Sequence, residues 1–271
     1  MPPAKPTRCR RPTEHEQAEF DRDGAVLLMG VVPARWLHVL EEAIERDIAQ
    51  PGPYFNGYRP EAGRFHGNLR VWENDEGFRA FCCEGPLREL AARLLGANRL
   101  NLFYDQLFVK EPGTPQPTRW HNDQPYWPVR GWPVMSFWLP LDPVTRESGA
   151  LTFVAGSHRW GRWFQPEAFA EGGAAYERGE GYEPMPDIDG GGHRILSWNM
   201  EPGDVLAFHA LTVHGAGGNH TTDVRRRGYA VRYCGESCTY FAGPGPNDDL
   251  RNPVLASGDP LDSVQYPVVW P

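Results

Sequence analysis

The sequence contains no apolar run near the ~18 residues that a membrane-crossing helix needs, so no such span is expected. It has no excess of basic charge. Twenty-seven Lys and Arg stand against 35 Asp and Glu, a net charge of −8, which argues against nucleic acid or an anionic membrane as the main partner. It has few cysteines, and the five present (Cys9, Cys82, Cys83, Cys234, Cys238) form no regular framework. An odd count with one adjacent pair fits a reduced, cytoplasmic protein better than a secreted one. Cys234 and Cys238 have no second Cys or His pair at finger spacing, which removes the usual basis for a structural zinc site. The first dozen residues carry several basic groups but no apolar stretch after them, so residues 1–12 read as a disordered tail and not as a signal peptide. There is no internal repeat.

What is present points to a mainly β protein with flanking helices. Forty per cent hydrophobic and 12% aromatic residues supply a core, while 30 Gly and 27 Pro in 271 residues suit many short strands joined by tight turns. One domain is expected over residues 13–242, followed by a Pro-rich extension, 243–271, packed on it. Thr13 can cap a first helix, with Glu16 at the capping-box position and Gly24 ending it. A short apolar strand follows from Ala25. Pro33 then opens a helix whose Trp36, Leu37, Leu40, Ala43 and Ile44 share one face. Residues 51–75 read as a long loop, and 86–95 as a helix ended by Gly96. Beyond residue 100 the pattern is β. The 101–110 segment alternates, with Tyr104, Gln106, Phe108 and Lys110 on one face. Further strands are expected at 133–141, 150–154 and 193–200, and at 204–214 after the Pro202-Gly203-Asp204 turn. The last is at 226–234. Residues 164–192 form a Gly-rich, acidic insertion, either a lid over a pocket or a passive surface loop.

The chemistry is carried by His121 and Asp123, two residues apart. In a strand such residues point the same way, so an imidazole and a carboxylate can share one metal. Alone, the triplet is also what a surface ion pair would look like. His214 strengthens the pattern, because it ends an apolar strand and is followed by small residues that leave room for a ligand. These three would make a facial triad with three coordination positions open. His209, five residues earlier, is read as structural on strand parity. Arg225, Arg226 and Arg227 enter a strand beside the one bearing His214, where a guanidinium can clamp a carboxylate in two-point fashion.

Taken in order, these residues resemble the phytanoyl-CoA dioxygenase family of Fe(II)/2-oxoglutarate enzymes. The resemblance also rests on Phe20 with Asp23-Gly24-Ala25-Val26-Leu27-Leu28, on Phe137-Trp138-Leu139-Pro140-Leu141, and on Glu147-Ser148-Gly149-Ala150-Leu151. Gly156-Ser157-His158 and Glu201-Pro202-Gly203-Asp204 match as well, and the likeness spans roughly residues 13–235. It implies a double-stranded β-helix (jelly-roll, cupin-like) core, iron held by His121, Asp123 and His214, and 2-oxoglutarate and O2 as co-substrates. The 2-oxoglutarate would chelate iron through its 1-carboxylate and 2-keto oxygen, with Gln106 and Trp138 lining its site. Its far carboxylate would meet an arginine. Counting from His214 selects Arg225, whereas the inward strand face shared with Gly228 and Ala230 selects Arg226, the preferred choice since loops absorb insertions more readily than ladders. His158 lies in a turn that is structural in the family, outside the metal shell.

The resemblance further implies hydroxylation of a small molecule, with release of succinate and CO2. A carboxylate at 123, where related halogenases have a small residue, argues against halogenation. A cupin-like isomerase or hydrolase, or a non-catalytic binding module of the same fold, is the alternative, and neither needs the arginine clamp. Tyr126, Trp127 and Arg130, with Tyr58, Arg64, Phe65 and His66 from the early loop, can border the pocket mouth. Trp127 and Phe65 can equally be core packing. Nothing in the sequence fixes the oligomeric state.

Overall fold

The computed structural model describes residues 10–57, 64–168 and 176–271. Most of the expected tail, Tyr58, and residues 169–175 of the acidic insertion lie outside them.

Helix α1 (Glu14–Asp23) has the full capping box, Thr13 accepting from Glu16 N and Glu16 reaching back, and Gly24 closes it in the left-handed region at φ 76°. Strand β1 (Ala25–Leu28), helix α2 (Ala34–Ala49), β2 (Phe55–Gly57) and β3 (Phe65–Leu69) follow. Helices α3 (Glu76–Glu84) and α4 (Leu87–Leu95) come next. Two of these findings correct the sequence reading. Residues 51–75 are not all loop, because β2 and β3 pair with each other and β3 pairs with the long strand that follows. Helix α3 was missed; Asp75 caps it, its carboxylate accepting from Gly77 N and Phe78 N.

The β half comprises β4 (Leu100–Lys110), β5 (Thr118–His121), β6 (Val129–Arg130), β7 (Val134–Pro140), β8 (Leu151–Val154) and β9 (Ile195–Ser197). It continues with β10 (Val205–His209), β11 (His214–Ala216), β12 (Arg226–Gly235), β13 (Thr239–Tyr240) and β14 (Val268–Trp270). The large sheet runs β1-β10-β7-β12-β4-β3-β2, with β14 also on β4, and a smaller sheet runs β5-β11-β8-β9. Side-chain alternation sorts the large sheet's residues by face. Leu107, Val109, Phe137, Leu139, Tyr229, Val231 and Tyr233 pack with Leu40, Ile44, Phe78, Phe81 and Leu90 of the helices. The opposite face carries Tyr104, Gln106, Phe108, Lys110, Trp138, Arg226, Ala230 and Arg232, which line a cavity shared with the small sheet.

The apolar run 204–214 is not one strand. β10 pairs with β1 and β7 in the large sheet, the chain turns through Ala210–Val213, and β11 joins the small sheet. The extension after Ala242 does more than cover the surface, since Leu250, Leu261 and Tyr266 are buried and β14 adds an edge strand.

Candidate metal centre and its cavity

The ladder between β5 and β11 sets His121 directly opposite His214. Their rings lie 4.2 Å apart between centroids. Each Nδ1 meets a backbone carbonyl two residues upstream, Arg119 O at 2.8 Å and Thr212 O at 2.9 Å. A carbonyl only accepts, so Nδ1 carries the proton in both rings and the Nε2 lone pair is left for a metal.

Asp123 completes the group, though not as a strand neighbour. β5 stops at His121, and Asp123 has helical dihedrals (φ −72°, ψ −42°) at the start of a one-turn helix over 124–126. Its N–H and that of Gln124 both bond Ala210 O, at 2.9 and 3.1 Å, so the corner where the chain leaves β10 holds this turn. The carboxylate Oδ1 sits 3.4 Å from His121 Nε2 and 3.8 Å from His214 Nε2. Oδ2 accepts from Ser136 Oγ at 3.0 Å. The three ligand atoms lie within 4.8 Å of one another, and among the described residues no other group of three His, Cys, Asp or Glu does this. Bonds of about 2.0–2.2 Å to one ion at the ~90° angles of a facial triad need donor atoms roughly 3 Å apart, so the 3.4 and 3.8 Å spacings need close by only about an ångström or less. Burial raises the Asp123 pKa, but His214, the close His121 contact and Arg232 outweigh it and hold the carboxyl well below its usual range. Burial first, then His121, pulls the His214 imidazole down to about 4, which keeps it in the neutral, ligating form.

The triad opens into a cavity of about 170 Å³ between the sheets. Arg226 lines it, 3% exposed, with its guanidinium over the Trp138 ring at 5.5 Å. Its Nε has no hydrogen-bond partner, Nη2 makes a long 3.4 Å bond to Gly149 O, and burial alone lowers its pKa to about 10. Gly228 makes room for this stack, since a Cβ there would come within 2.3 Å of the indole. Lys110, paired in register with Arg226, donates to Gln116 O and Gly217 O at 2.9 Å each. Burial, then Arg226, pulls its amine down to about 7. An ammonium has three donors, so one remains for the cavity.

The structure separates the sequence candidates. His121, Asp123, His214, Arg226, Gln106, Trp138, Tyr126, Trp127 and Phe65 line the cavity. Arg225 points elsewhere, with Nη2 2.8 Å from Glu111 and Nη1 3.3 Å from Glu45. Arg64 is exposed and outside the lining. Trp127 is also core, 1% exposed and donating to Tyr104 Oη at 2.9 Å. His209 is structural, but strand parity is not the reason. Its Nε2 donates to Trp132 O at 2.8 Å and its Nδ1 accepts from Leu211 N at 3.1 Å, fixing the corner at 210–213. His158 lies outside the triad, beside Gly24. The sequence reading missed Asn68, Ser136, Tyr176, Arg232 and Asn247. Ser136 and Arg232 share strand parity with Trp138 and Arg226, a signal that was available; Asn247 gave none.

Three protein donors on one side of an ion leave its other side open to small molecules, and on this fold that arrangement belongs to the mononuclear non-haem iron oxygenases. Residues 20–228 match the phytanoyl-CoA dioxygenase (PhyH) family, and the chain belongs to it. It is 29% identical over 236 residues to the multifunctional dioxygenase ausE of Aspergillus calidoustus, covering 81% of this chain and 72% of that one. In structure it is similar to the non-haem alpha-ketoglutarate-dependent carbocyclase SnoK of nogalamycin biosynthesis, with a TM-score of 0.76 at 23% identity, covering 95% and 96% of the two chains. It is also similar to the epimerase SnoN in complex with Fe3+, alpha-ketoglutarate and nogalamycin RO, with a TM-score of 0.73 at 25% identity, covering 94% and 98%. The protein is an Fe(II)/2-oxoglutarate-dependent dioxygenase with a jelly-roll core.

Proposed function

We propose that this dioxygenase hydroxylates a small molecule in the cavity, with His121, Asp123 and His214 holding iron and Arg226 receiving the far carboxylate of 2-oxoglutarate. The observation that carries the reading is the Arg226 guanidinium, buried on the cavity wall with its Nε unpartnered. A buried cation without an anion is costly, and a dicarboxylate co-substrate supplies the missing charge. Lys110 adds a second donor from the neighbouring strand. Trp138, which the Arg226 head lies over, and Gln106 line the same cavity as the triad. Arg225 is already neutralised by Glu111 and Glu45, so it has no comparable need.

Iron held by His121, Asp123 and His214 would supply O2 activation, coupling hydroxylation of a substrate C–H bond to conversion of 2-oxoglutarate into succinate and CO2. The protein's own part is positional. The two carbonyl-held imidazoles keep their Nε2 atoms aimed inward, Ser136 fixes the Asp123 carboxylate, and the sheets exclude bulk water. The free thiols Cys82, Cys83, Cys234 and Cys238 support a reducing compartment, read here as the cytoplasm. Among the described residues no helix is long and apolar enough to cross a membrane.

The test is purified enzyme with Fe(II), 2-oxoglutarate and 18O2 against a small-molecule library. Succinate formed in step with an 18O-labelled product supports the reading. Substrate consumption without succinate would point instead to a metal-dependent isomerase or hydrolase.

A further inference from the structure

The inward face of β12 carries a second buried guanidinium, Arg232, six residues beyond Arg226 and only 4% exposed. Of its five N–H donors, one Nη2 bond reaches Gln106 Oε1 at 3.1 Å. Its Nε and Nη1 are buried with no partner. The head lies over the Tyr104 ring at 4.3 Å, with the Trp127 ring at 5.9 Å.

The two arginines occupy different electrostatic surroundings. Arg226 acts on Lys110, whereas Arg232 is the guanidinium whose charge reaches Asp123 and His214. Arg232 is also in register with Ser136, the residue that holds the Asp123 carboxylate. Asp123 lies beyond ion-pair distance of Arg232 among the described contacts, and once iron is bound its charge is shared with the metal. Beside Arg232 the cavity wall is aromatic, through Tyr104 and Trp127, and Tyr126 and Tyr176 line the same cavity. A cation with two unmet donors, set in aromatic walls beside the metal ligands, matches one kind of guest.

We infer that Arg232 is the substrate-anchoring residue, and that the substrate is a carboxylic acid with a flat or cyclic apolar body. Its carboxylate takes one fork of the guanidinium, the second Nη2 hydrogen together with either Nη1 or Nε, and its body lies against the aromatic wall, which brings its C–H bonds to the open side of the triad. This rests on the assignment of Arg226 to 2-oxoglutarate, and the experiment keeps the two apart.

Protein loaded with Mn(II) and saturating 2-oxoglutarate, which cannot turn over without iron, is titrated calorimetrically with benzoate, phenylacetate and cinnamate, each beside its neutral amide. At least one acid is expected to bind ten-fold or more tightly than its amide. Arg232→Gln should abolish that preference while the Kd for 2-oxoglutarate stays within about three-fold of wild type. Arg232→Lys, which keeps the charge and loses the fork, should retain part of the preference, and it serves if the Gln variant fails to fold. The inference is overturned if no acid outbinds its amide, or if Arg232→Gln leaves the preference intact. It is also overturned if Arg232→Gln weakens 2-oxoglutarate as much as Arg226→Gln does, which would place Arg232 on the co-substrate's metal-bound carboxylate. Failure of the Arg226 assignment reads differently: Arg226→Gln then leaves 2-oxoglutarate affinity unchanged while the acid preference at Arg232 persists.

Discussion

Replacing Arg226 with Met should stabilise the ligand-free protein and cripple co-substrate binding at once. The side chain is 3% exposed, and burial alone brings its pKa from 12.5 to about 10. A shift of that size corresponds to about 3 kcal/mol held against the charged form. The long bond to Gly149 O and the stack on Trp138 offset part of it, leaving a gain of roughly 1–2 kcal/mol when the charge is removed and the volume kept. At roughly 2–4 °C per kcal/mol for a domain of this size, the metal-free protein should melt several degrees higher. Binding moves the other way. A carboxylate deprived of its buried partner loses roughly 2–5 kcal/mol, so the Kd for 2-oxoglutarate should rise between about 30-fold and several thousand-fold, with metal affinity little changed.

Arg225→Met is the control. It breaks partly exposed pairs with Glu111 and Glu45, interactions of about 0–1 kcal/mol, and should leave 2-oxoglutarate affinity alone. Calorimetric titration of the Mn(II) protein and a thermal melt of the metal-free protein measure both effects. If Arg225→Met weakens 2-oxoglutarate and Arg226→Met does not, the count from His214 identifies the clamp and the strand-face argument is wrong. A lower melting temperature for Arg226→Met would mean that the guanidinium is already satisfied in the empty cavity.

Three other outcomes are expected. His121→Ala and His214→Ala should each lose bound iron and turnover with unchanged far-ultraviolet circular dichroism, and wild-type iron content in either would remove that residue from the metal site. Ser136→Ala frees the Asp123 carboxylate to rotate, so iron affinity should fall by roughly 10- to 100-fold, measured by competition with a chelator; an unchanged affinity would show that Ser136 does not position Asp123. Lys110 should make both stability and binding depend on pH. Its amine is pushed from 10.5 to about 7 in the fold, so the unfolded chain binds more protons and stability of the ligand-free protein rises between about pH 7 and 10.5. A bound carboxylate favours the ammonium, so 2-oxoglutarate binding at pH 8 should take up a proton. Calorimetry in buffers of different ionisation enthalpy reads this, and equal uptake by Lys110→Met would assign the proton elsewhere.

The parts of the fold legible in the sequence are those set by local pattern. The capping box at Thr13 and Glu16, the apolar face of α2 and the alternation of β4 all carry their own signal. The parts not legible are decided by distant partners. β3 has no alternation of its own, and it is a strand because β4 offers it an edge. The run Leu206–Val213 is apolar almost throughout, so nothing in it marks where the chain leaves one sheet for the other. That corner matters to the site, because Ala210 O receives both N–H groups that hold the turn at Asp123. The pairing of His121 with Asp123 was therefore found for a reason that does not apply. The shared direction comes from the start of the one-turn helix over 124–126, pinned by β10's exit, not from strand periodicity.

The strand β12 shows how far periodicity does reach when the partner is known. Tyr229, Val231 and Tyr233 face the helices, so Arg226, Gly228, Ala230 and Arg232 must face the cavity. Small residues in the middle leave the space that the Trp138 ring occupies, while the two arginines stand at its ends. The loop 217–225 before the strand can lengthen without disturbing this face, and that is the ground for expecting the ladder, not the residue count from His214, to identify the clamp. The same parity that singles out Arg226 applies without further assumption to Arg232. A strand with one inward cation would serve a single carboxylate; β12 carries two separated inward cations, each with unpartnered donors, and the Arg226 and Arg232 variants test whether each takes an anion of its own.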